Sequence, residues 1–256
     1  MGMFWVRFET EGRARSGILE DGMIREIRGS FFEGGEFSGE VFPLEKVRLL
    51  APVEPTSIFC VGRNYTEHAK ELGHDLPEEP LIFLKAPGSV LSPEGTIRIP
   101  LWAGRIDYEG ELAVVIGKTC RNIPEDEAQS VIFGLTCLND VTARDLQNRD
   151  GQWTRSKSFD TFCPLGPWIL KSGEARGRRI ETRLNGRVVQ AASTDMMIFP
   201  VGRLISHISR FATLRPGDVV ATGTPAGVGP MLPGDVVEVE IEGIGILKNR
   251  VAGDPS

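Results

Sequence analysis

The chain has 256 residues, 41% of them hydrophobic, with a formal net charge of −6. That length supports one substantial core and a small appended unit. The acidic balance offers no basic footprint for nucleic acid, and no apolar run reaches the ~18 residues of a membrane helix, so neither partner is expected.

Residues 1–52 read as a small β-rich domain. "FWVRFETEG", "RSGILEDG" and "MIREIRG" alternate apolar and polar residues and are split by Gly and Asp turns. The first residues lack the apolar core of a signal peptide and the Ser or Thr of a myristoylation signal. "APVEPT", with its two prolines, separates this unit from a larger domain over 53–256. "SIFCVGRNY" is a strand running into a loop. "YTEHAKELGH" has helical spacing, with Thr66 as N-cap and Gly73 as stop. "EEPLIFLKAPGSVL" is a strand entering a Pro-Gly turn. "RIDYEGELAVVIG" reads as one strand, charged at its start and buried at its end. "PEDEAQSVIFGLTCLNDVT" opens as a helix with an acidic first turn and continues as a buried strand ending at Asn139-Asp140. "TARDLQNRDGQWTRSKSFDTF" has no apolar periodicity and reads as a long loop, a kind that is usually functional or mobile. "PVGRLISHISRFATLRPGD" is a second helix, with Leu204, Ile208 and Phe211 near 3–4 spacing. "RPGDVVATG" and "LPGDVVEVEIEG" repeat one turn-and-strand unit. Many strands, about three helices and no regular strand-helix alternation predict an α+β, mainly β, rolled architecture. The cysteines Cys60, Cys120, Cys137 and Cys163 adjoin apolar runs and form no CxxC pair. They read as reduced core residues of a cytoplasmic protein.

The chemistry starts in "RIDYEGELAVVIG". Strand side chains alternate, so Asp107, Glu109 and Glu111 share a face at the mouth of an apolar core. An isolated acidic pair is usually a solvated edge. Here Asp140, at the end of another buried strand, joins it. Three buried carboxylates need a countercharge, and an all-oxygen set suits Mg²⁺, Mn²⁺ or Ca²⁺ and not zinc. His68 and Glu71 lie three residues apart on a helix face, as a surface pair or as a general-base dyad. Lys157 is either solvated or aimed at a developing oxyanion. Arg144 and Gln147 follow Asp140, and an arginine fork suits a carboxylate substrate. "ATGTPAGVG" is neither a Walker loop nor a dinucleotide fingerprint, but it allows close approach to a small ligand.

"VGRNYTEHAKE", "LIFLKAPGSV", "DYEGELAVVIG", "NDVTARDLQ", "WTRSKSFDTFCPLGP" and "TGTPAGVG" occur in that order. Together they resemble the fumarylacetoacetate hydrolase superfamily over roughly residues 57–250. Its short members include acylpyruvases, oxaloacetate decarboxylases or tautomerases, and 2-hydroxyhepta-2,4-diene-1,7-dioate isomerases. The resemblance implies a mixed β-roll, a homodimer, and one Mg²⁺ or Mn²⁺ on Glu109, Glu111 and Asp140. It implies a His68–Glu71 dyad, charge stabilisation by Lys157, and substrate contacts from Arg63, Tyr65, Arg144, Gln147 and Thr224. The larger hydrolases carry a further upstream Asp ligand for which no counterpart is identified in this sequence, and water is expected to fill that position. Asp107 is expected beside the ion, orienting water or pairing with an arginine. The implied activity is metal-dependent chemistry on an enolisable 2-oxo acid: C–C hydrolysis, decarboxylation or isomerisation through a metal-stabilised enolate, in aromatic or 2-oxo acid catabolism. The alternative is a non-catalytic protein that binds a 2-oxo acid through the same metal.

Overall fold

The computed structural model describes residues 3–71, 76–171 and 173–254, and leaves the side chains of residues 68–70 undescribed. Strands β1 (Phe4–Thr10), β2 (Arg13–Glu20), β3 (Met23–Arg28) and β4 (Glu36–Pro43) form an antiparallel meander, and β5 (Arg48–Leu50) returns along β1. Its first two turns, Glu11-Gly12 and Asp21-Gly22, have φ of 52° and 70°, and 47° and 77°. Two consecutive positive φ values make the mirror-image turn whose twist matches the flanking strands. Alternation along these strands gathers Val6, Phe8, Leu19 and Ile24 into a small core of their own.

The chain continues through β6 (Ile58–Gly62), helix α1 (Thr66–Glu71), β7 (Leu81–Lys85), β8 (Val90–Leu91), β9 (Thr96–Pro100), β10 (Ile106–Tyr108) and β11 (Gly110–Ile116). Thr66 is the first residue of α1, so it stands one position inside the expected cap, and Gly73 lies outside the described residues. β12 (Ile132–Asn139) follows a 3-10 turn over Glu125–Val131, where the sequence suggested an α-helix. The buried residues there, Ala128 and Val131, lie three apart, and side chains three apart eclipse in a 3-10 helix. After β13 (Thr142–Ala143), the expected loop instead contains α2 (Arg144–Asp150) and α3 (Thr154–Lys157) before β14 (Cys163–Lys171). Helices of 7 and 4 residues are too short to display an apolar period. The chain ends with β15 (Arg179–Leu184), β16 (Arg187–Ser193), α4 (Val201–Phe211), β17 (Val219–Ala221), β18 (Gly229–Pro230), β19 (Val236–Ile241) and β20 (Gly245–Asp254). Both "PGDVV" repeats are a turn entering a strand, β17 and β19.

Twelve strands form the largest sheet, in the order β4-β3-β2-β1-β14-β12-β11-β17-β6-β7 with β5 and β8 at its side. The N-terminal meander therefore continues this sheet, joining it where Phe4 and Trp5 pair with Leu170 and Ile169. A five-stranded sheet runs β16-β15-β19-β20-β9, and β13-β10-β18 form a third. Pairing is antiparallel except at β17/β6, β14/β8 and β20/β9. The architecture is the mainly β, α+β roll that the strand count predicts, with four short α-helices among the described residues.

β11 is the hub. Leu112, Val114 and Ile116 pack with Leu135, Val239, Leu247 and the Leu204, Ile205 and Ile208 face of α4. Ala113 and Val115 pack on the other side with Ile58, Cys60, Val219 and Trp5. A strand covered on both faces needs apolar residues at every position, which is why "LAVVI" does not alternate. The four cysteines are buried and free.

Candidate metal centre and substrate cavity

The acidic stretch is two strands and not the single one that its alternation suggested. β10 belongs to the three-stranded sheet and β11 to the large one, and Glu109 is the junction. There the backbone turns to side-chain partners: Glu109 N–H donates to Asn139 Oδ1 (2.9 Å) and Gly110 N–H to Gln190 Oε1 (3.1 Å). A Cβ on Gly110 would meet Thr182 Oγ1 at 2.1 Å, so only glycine fits this crossing. Across the ladder, Asp140 N–H donates to Glu109 O (2.8 Å), which brings Asp140 opposite Glu109. Glu111 lies two residues further on. As a result, ligating oxygens of Glu109, Glu111 and Asp140 lie within 4.8 Å of one another, and all three residues are buried.

Four cations pair with this acidic group or with the neighbouring Asp107. Lys157 Nζ donates to Glu109 Oε2 (2.8 Å) and Asp140 Oδ2 (2.6 Å). Lys85 Nζ donates to the other Asp140 oxygen (2.6 Å) and to Val141 O (3.2 Å), and its side chain is 0% exposed. Arg144 donates to Glu109 Oε1, to Gln147 Oε1 and to Asp107 Oδ2 (2.9 Å). Arg105 donates to Asp107 Oδ1 (2.6 Å). Asp107 is thus held between two arginines, outside the carboxylate cluster. Glu111 differs: its hydrogen bond comes from Gly223 N–H (2.8 Å) in the glycine-rich loop. Burial, with the Asp140 and Glu109 carboxylates beside it, pushes the Glu111 carboxyl well above its usual range, against the pull of Lys157 and Gly223. Burial opposes the charge on Lys157, but Asp140 and Glu109 outweigh it and hold the ammonium protonated. Burial likewise opposes Arg144, and Glu109 and Asp107 reverse it.

A cavity of about 530 Å³ opens on this cluster. Arg63, Arg144, Gln147, Lys157 and Thr224 line it together with Asp107, Glu109, Glu111 and Asp140. Phe83 and Trp153 form an aromatic wall, edge to face at 5.2 Å, and Lys157 Nζ lies 5.0 Å from the Phe83 ring centre. Thr224 Oγ1 is engaged within the protein, donating to Gly110 O (2.9 Å) and accepting from Gln190 Nε2 (2.8 Å). Tyr65 is buried outside the lining, and its hydroxyl has no hydrogen-bond partner among the described residues. Burial, with Glu111 nearby, pushes its phenol upward. The Glu71 carboxylate accepts from Gly227 N–H (3.1 and 3.2 Å), which joins α1 to the glycine-rich loop. The His68 side chain and His74 lie outside the described residues.

Two contributors were missed from the sequence. Lys85 carried a signal, a lysine ending the apolar run "LIFLK". Asn64 carried none. Its amide donates to Phe199 O (3.0 Å) and Thr222 O (2.8 Å) and accepts from Phe199 N–H (2.8 Å), partners set by the tertiary fold.

The family model for the C-terminal region of fumarylacetoacetate hydrolase matches residues 57–252, and an Rv2993c-like N-terminal model matches residues 3–52. The chain belongs to the fumarylacetoacetate hydrolase family. An uncharacterized protein of Archaeoglobus fulgidus is 54% identical to this family member over 91% of the chain and 93% of its own length. Human oxaloacetate tautomerase FAHD2B is 42% identical, over 82% of this chain and 71% of that one. The crystal structure of 2-hydroxyhepta-2,4-diene-1,7-dioate isomerase from Mycobacterium marinum superposes with a TM-score of 0.93, at 42% identity, covering 99% and 100% of the two chains. The β-roll is therefore the family fold, and the relatives that carry an activity in their names are enzymes.

The donor set fits a hard divalent cation. It is all carboxylate oxygen and converges within one buried cluster, and Glu111 is the member that forms no ion pair with a described residue, its hydrogen bond coming from a backbone N–H.

Proposed function

We propose that this chain is a divalent-metal-dependent enzyme acting on enolisable 2-oxo acids. The observation that carries the reading is the buried Glu109–Glu111–Asp140 cluster opening, with Lys157 and Arg144, into one cavity. Glu109, Glu111 and Asp140 would hold Mg²⁺ or Mn²⁺, which would supply Lewis acidity for a keto oxygen of the substrate. The chain's own residues do the rest. Lys157, an ammonium between Glu109 and Asp140, stabilises negative charge on the substrate. Arg144 and Gln147, bonded to one another, present a fork and an amide to the acid end. Arg63 and Thr224 complete the contacts, Thr224 through backbone and methyl because its hydroxyl is engaged. Tyr65, buried outside the cavity lining, is given no substrate contact. Glu71, anchored on Gly227, orients His68, three residues before it on α1, and His68 moves the proton. Asp107 fixes Arg144.

Among the outcomes open to an enolate, proton transfer is favoured here: tautomerisation or double-bond isomerisation, the reactions named for the human and mycobacterial relatives. Hydrolysis and decarboxylation rank below it. The chain is taken as a cytoplasmic homodimer with no nucleic-acid or membrane partner. Among the described residues, no helix is long and apolar enough to cross a membrane.

Chelator-treated protein is assayed on oxaloacetate by enol absorbance and product analysis, with Mg²⁺ or Mn²⁺ restored. Turnover that returns with metal supports the reading. Full turnover in chelator removes the metal, and release of pyruvate and CO₂ replaces tautomerase with decarboxylase.

A further inference from the structure

The cations of the cavity are unequally committed. Lys157 spans two carboxylates, Lys85 is spent on Asp140, and Arg144 and Arg105 hold Asp107. Arg63 lines the same cavity, yet it forms no ion pair with a described residue, and its buried Nε–H has no hydrogen-bond partner. A buried donor without a protein partner requires an explanation, and a ligand is one.

The backbone supports this. Arg63 sits at φ 58°, in the left-handed region that a long side chain rarely adopts. Such a conformation persists where the surroundings over-determine it, and it clusters at ligand sites. The over-determination is visible next door. Asn64 is clamped through both side-chain atoms to Phe199 and Thr222, and its carbonyl accepts from Ile198 N–H (2.8 Å). Four hydrogen bonds from two distant segments fix the residue after Arg63, so the guanidinium is presented by a rigid loop.

We propose that Arg63 receives a second carboxylate of the substrate, so that the cavity selects dicarboxylic 2-oxo acids over monocarboxylic ones. This assignment rests on the 2-oxo acid reading above. With the 2-oxo acid end at Lys157 and Arg144, Arg63 is the cavity cation that forms no ion pair with a described residue, and a planar guanidinium binds a distal carboxylate through two hydrogen bonds. A monocarboxylic acid of similar size leaves the buried Arg63 Nε–H unpaired, which disfavours its binding. Arg63 is thus a specificity determinant that touches the non-reacting end.

The test compares oxaloacetate with acetylpyruvate, in wild-type protein, Arg63→Met and Arg63→Lys, with Mn²⁺ present. The ratio of kcat/KM for the diacid to that for the monoacid is expected to fall about 10- to 100-fold in Arg63→Met. The fall lies in KM, and Arg63→Lys restores part of it because charge returns without the fork. Mn²⁺ binding read by electron paramagnetic resonance and the thermal midpoint report whether the variants are folded. A ratio within twofold of wild type, or a loss confined to kcat, overturns the assignment. Should Arg63→Met fail to fold, wild-type protein decides with oxaloacetate against its 4-methyl ester. A preference of at least tenfold for the diacid is expected, and equal handling overturns the assignment. Absence of turnover and binding of every 2-oxo acid by wild type overturns the underlying reading instead.

Discussion

The N-terminal meander and the β10–β12 region both carry alternating acidic residues, and the two handle charge in opposite ways. In the meander Arg48–Glu9 and Arg7–Glu54 are pairs with at least one partner in water; the Glu54 side chain is 82% exposed. Around β11 the Lys85–Asp140 and Lys157–Asp140 pairs are shut away, with side chains at most 2% exposed. Exposed pairs gain little because water and salt already serve each charge. Buried ones offset a large desolvation cost only while every partner is present. The first region leaves its charge to solvent, whereas the second gathers it in a buried cluster at the mouth of the cavity.

The sharpest way to break this comparison is to delete one buried partner. Lys85→Met leaves Asp140 short of a cation and is expected to lower stability by about 3 kcal/mol or more in urea unfolding of metal-free protein. A loss under ~1 kcal/mol would place Lys85 in the inexpensive class with the meander pairs. Next comes Glu109→Ala. Lys157 keeps Asp140 and Arg144 keeps Asp107, so the fold is expected to survive while Mn²⁺ affinity falls by more than about 100-fold. Wild-type affinity in titration calorimetry would remove Glu109 from the ligand set.

A pH experiment isolates Glu111. Its folded carboxyl titrates well above the ordinary value of 4.5, so over that window the folded state holds a proton that the unfolded chain has lost. Stability from this group is therefore present at low pH and lost as pH rises through the folded value. Glu111→Gln keeps the shape without the titration. Metal-free wild type should fall behind Glu111→Gln in thermal midpoint as pH rises above 4.5, and added Mn²⁺ should close the gap. A gap independent of pH would show that Glu111 titrates normally. The smallest effect belongs to the meander: Glu9→Gln should change stability by less than ~0.5 kcal/mol, since its pair with Arg48 is exposed.

What could be read from sequence divides along the same line. The meander was legible because its signals are local: alternation, and Glu-Gly or Asp-Gly at two-residue turns. The three clustered carboxylates were legible because each lies at one end of an unmistakably buried run, Glu109 and Glu111 at the start of one and Asp140 at the end of another. Asp107 was visible but undecided, since its partners Arg105 and Arg144 depend on how β10 and α2 meet. The single strand expected over 105–117 failed because one glycine, Gly110, lets the chain change sheets without interrupting the alternation. Lys85 went unremarked because a lysine after an apolar strand usually points to water. Asn64 could not be seen, because its meaning lies in Phe199 and Thr222.

That last contact also sets a schedule for the growing chain. Asn64 waits for partners 135 and 158 residues downstream, and Glu111 for Gly223, 112 residues on. At a synthesis rate of about 5–20 residues per second, Asn64 leaves the ribosome roughly 8–30 s before Thr222 follows it. During that interval the meander can already close its local hairpins, while the acidic strand is present without the loop that completes it. The carboxylate cluster therefore stays open during synthesis, and Glu111 gains its Gly223 partner only after the glycine-rich loop emerges.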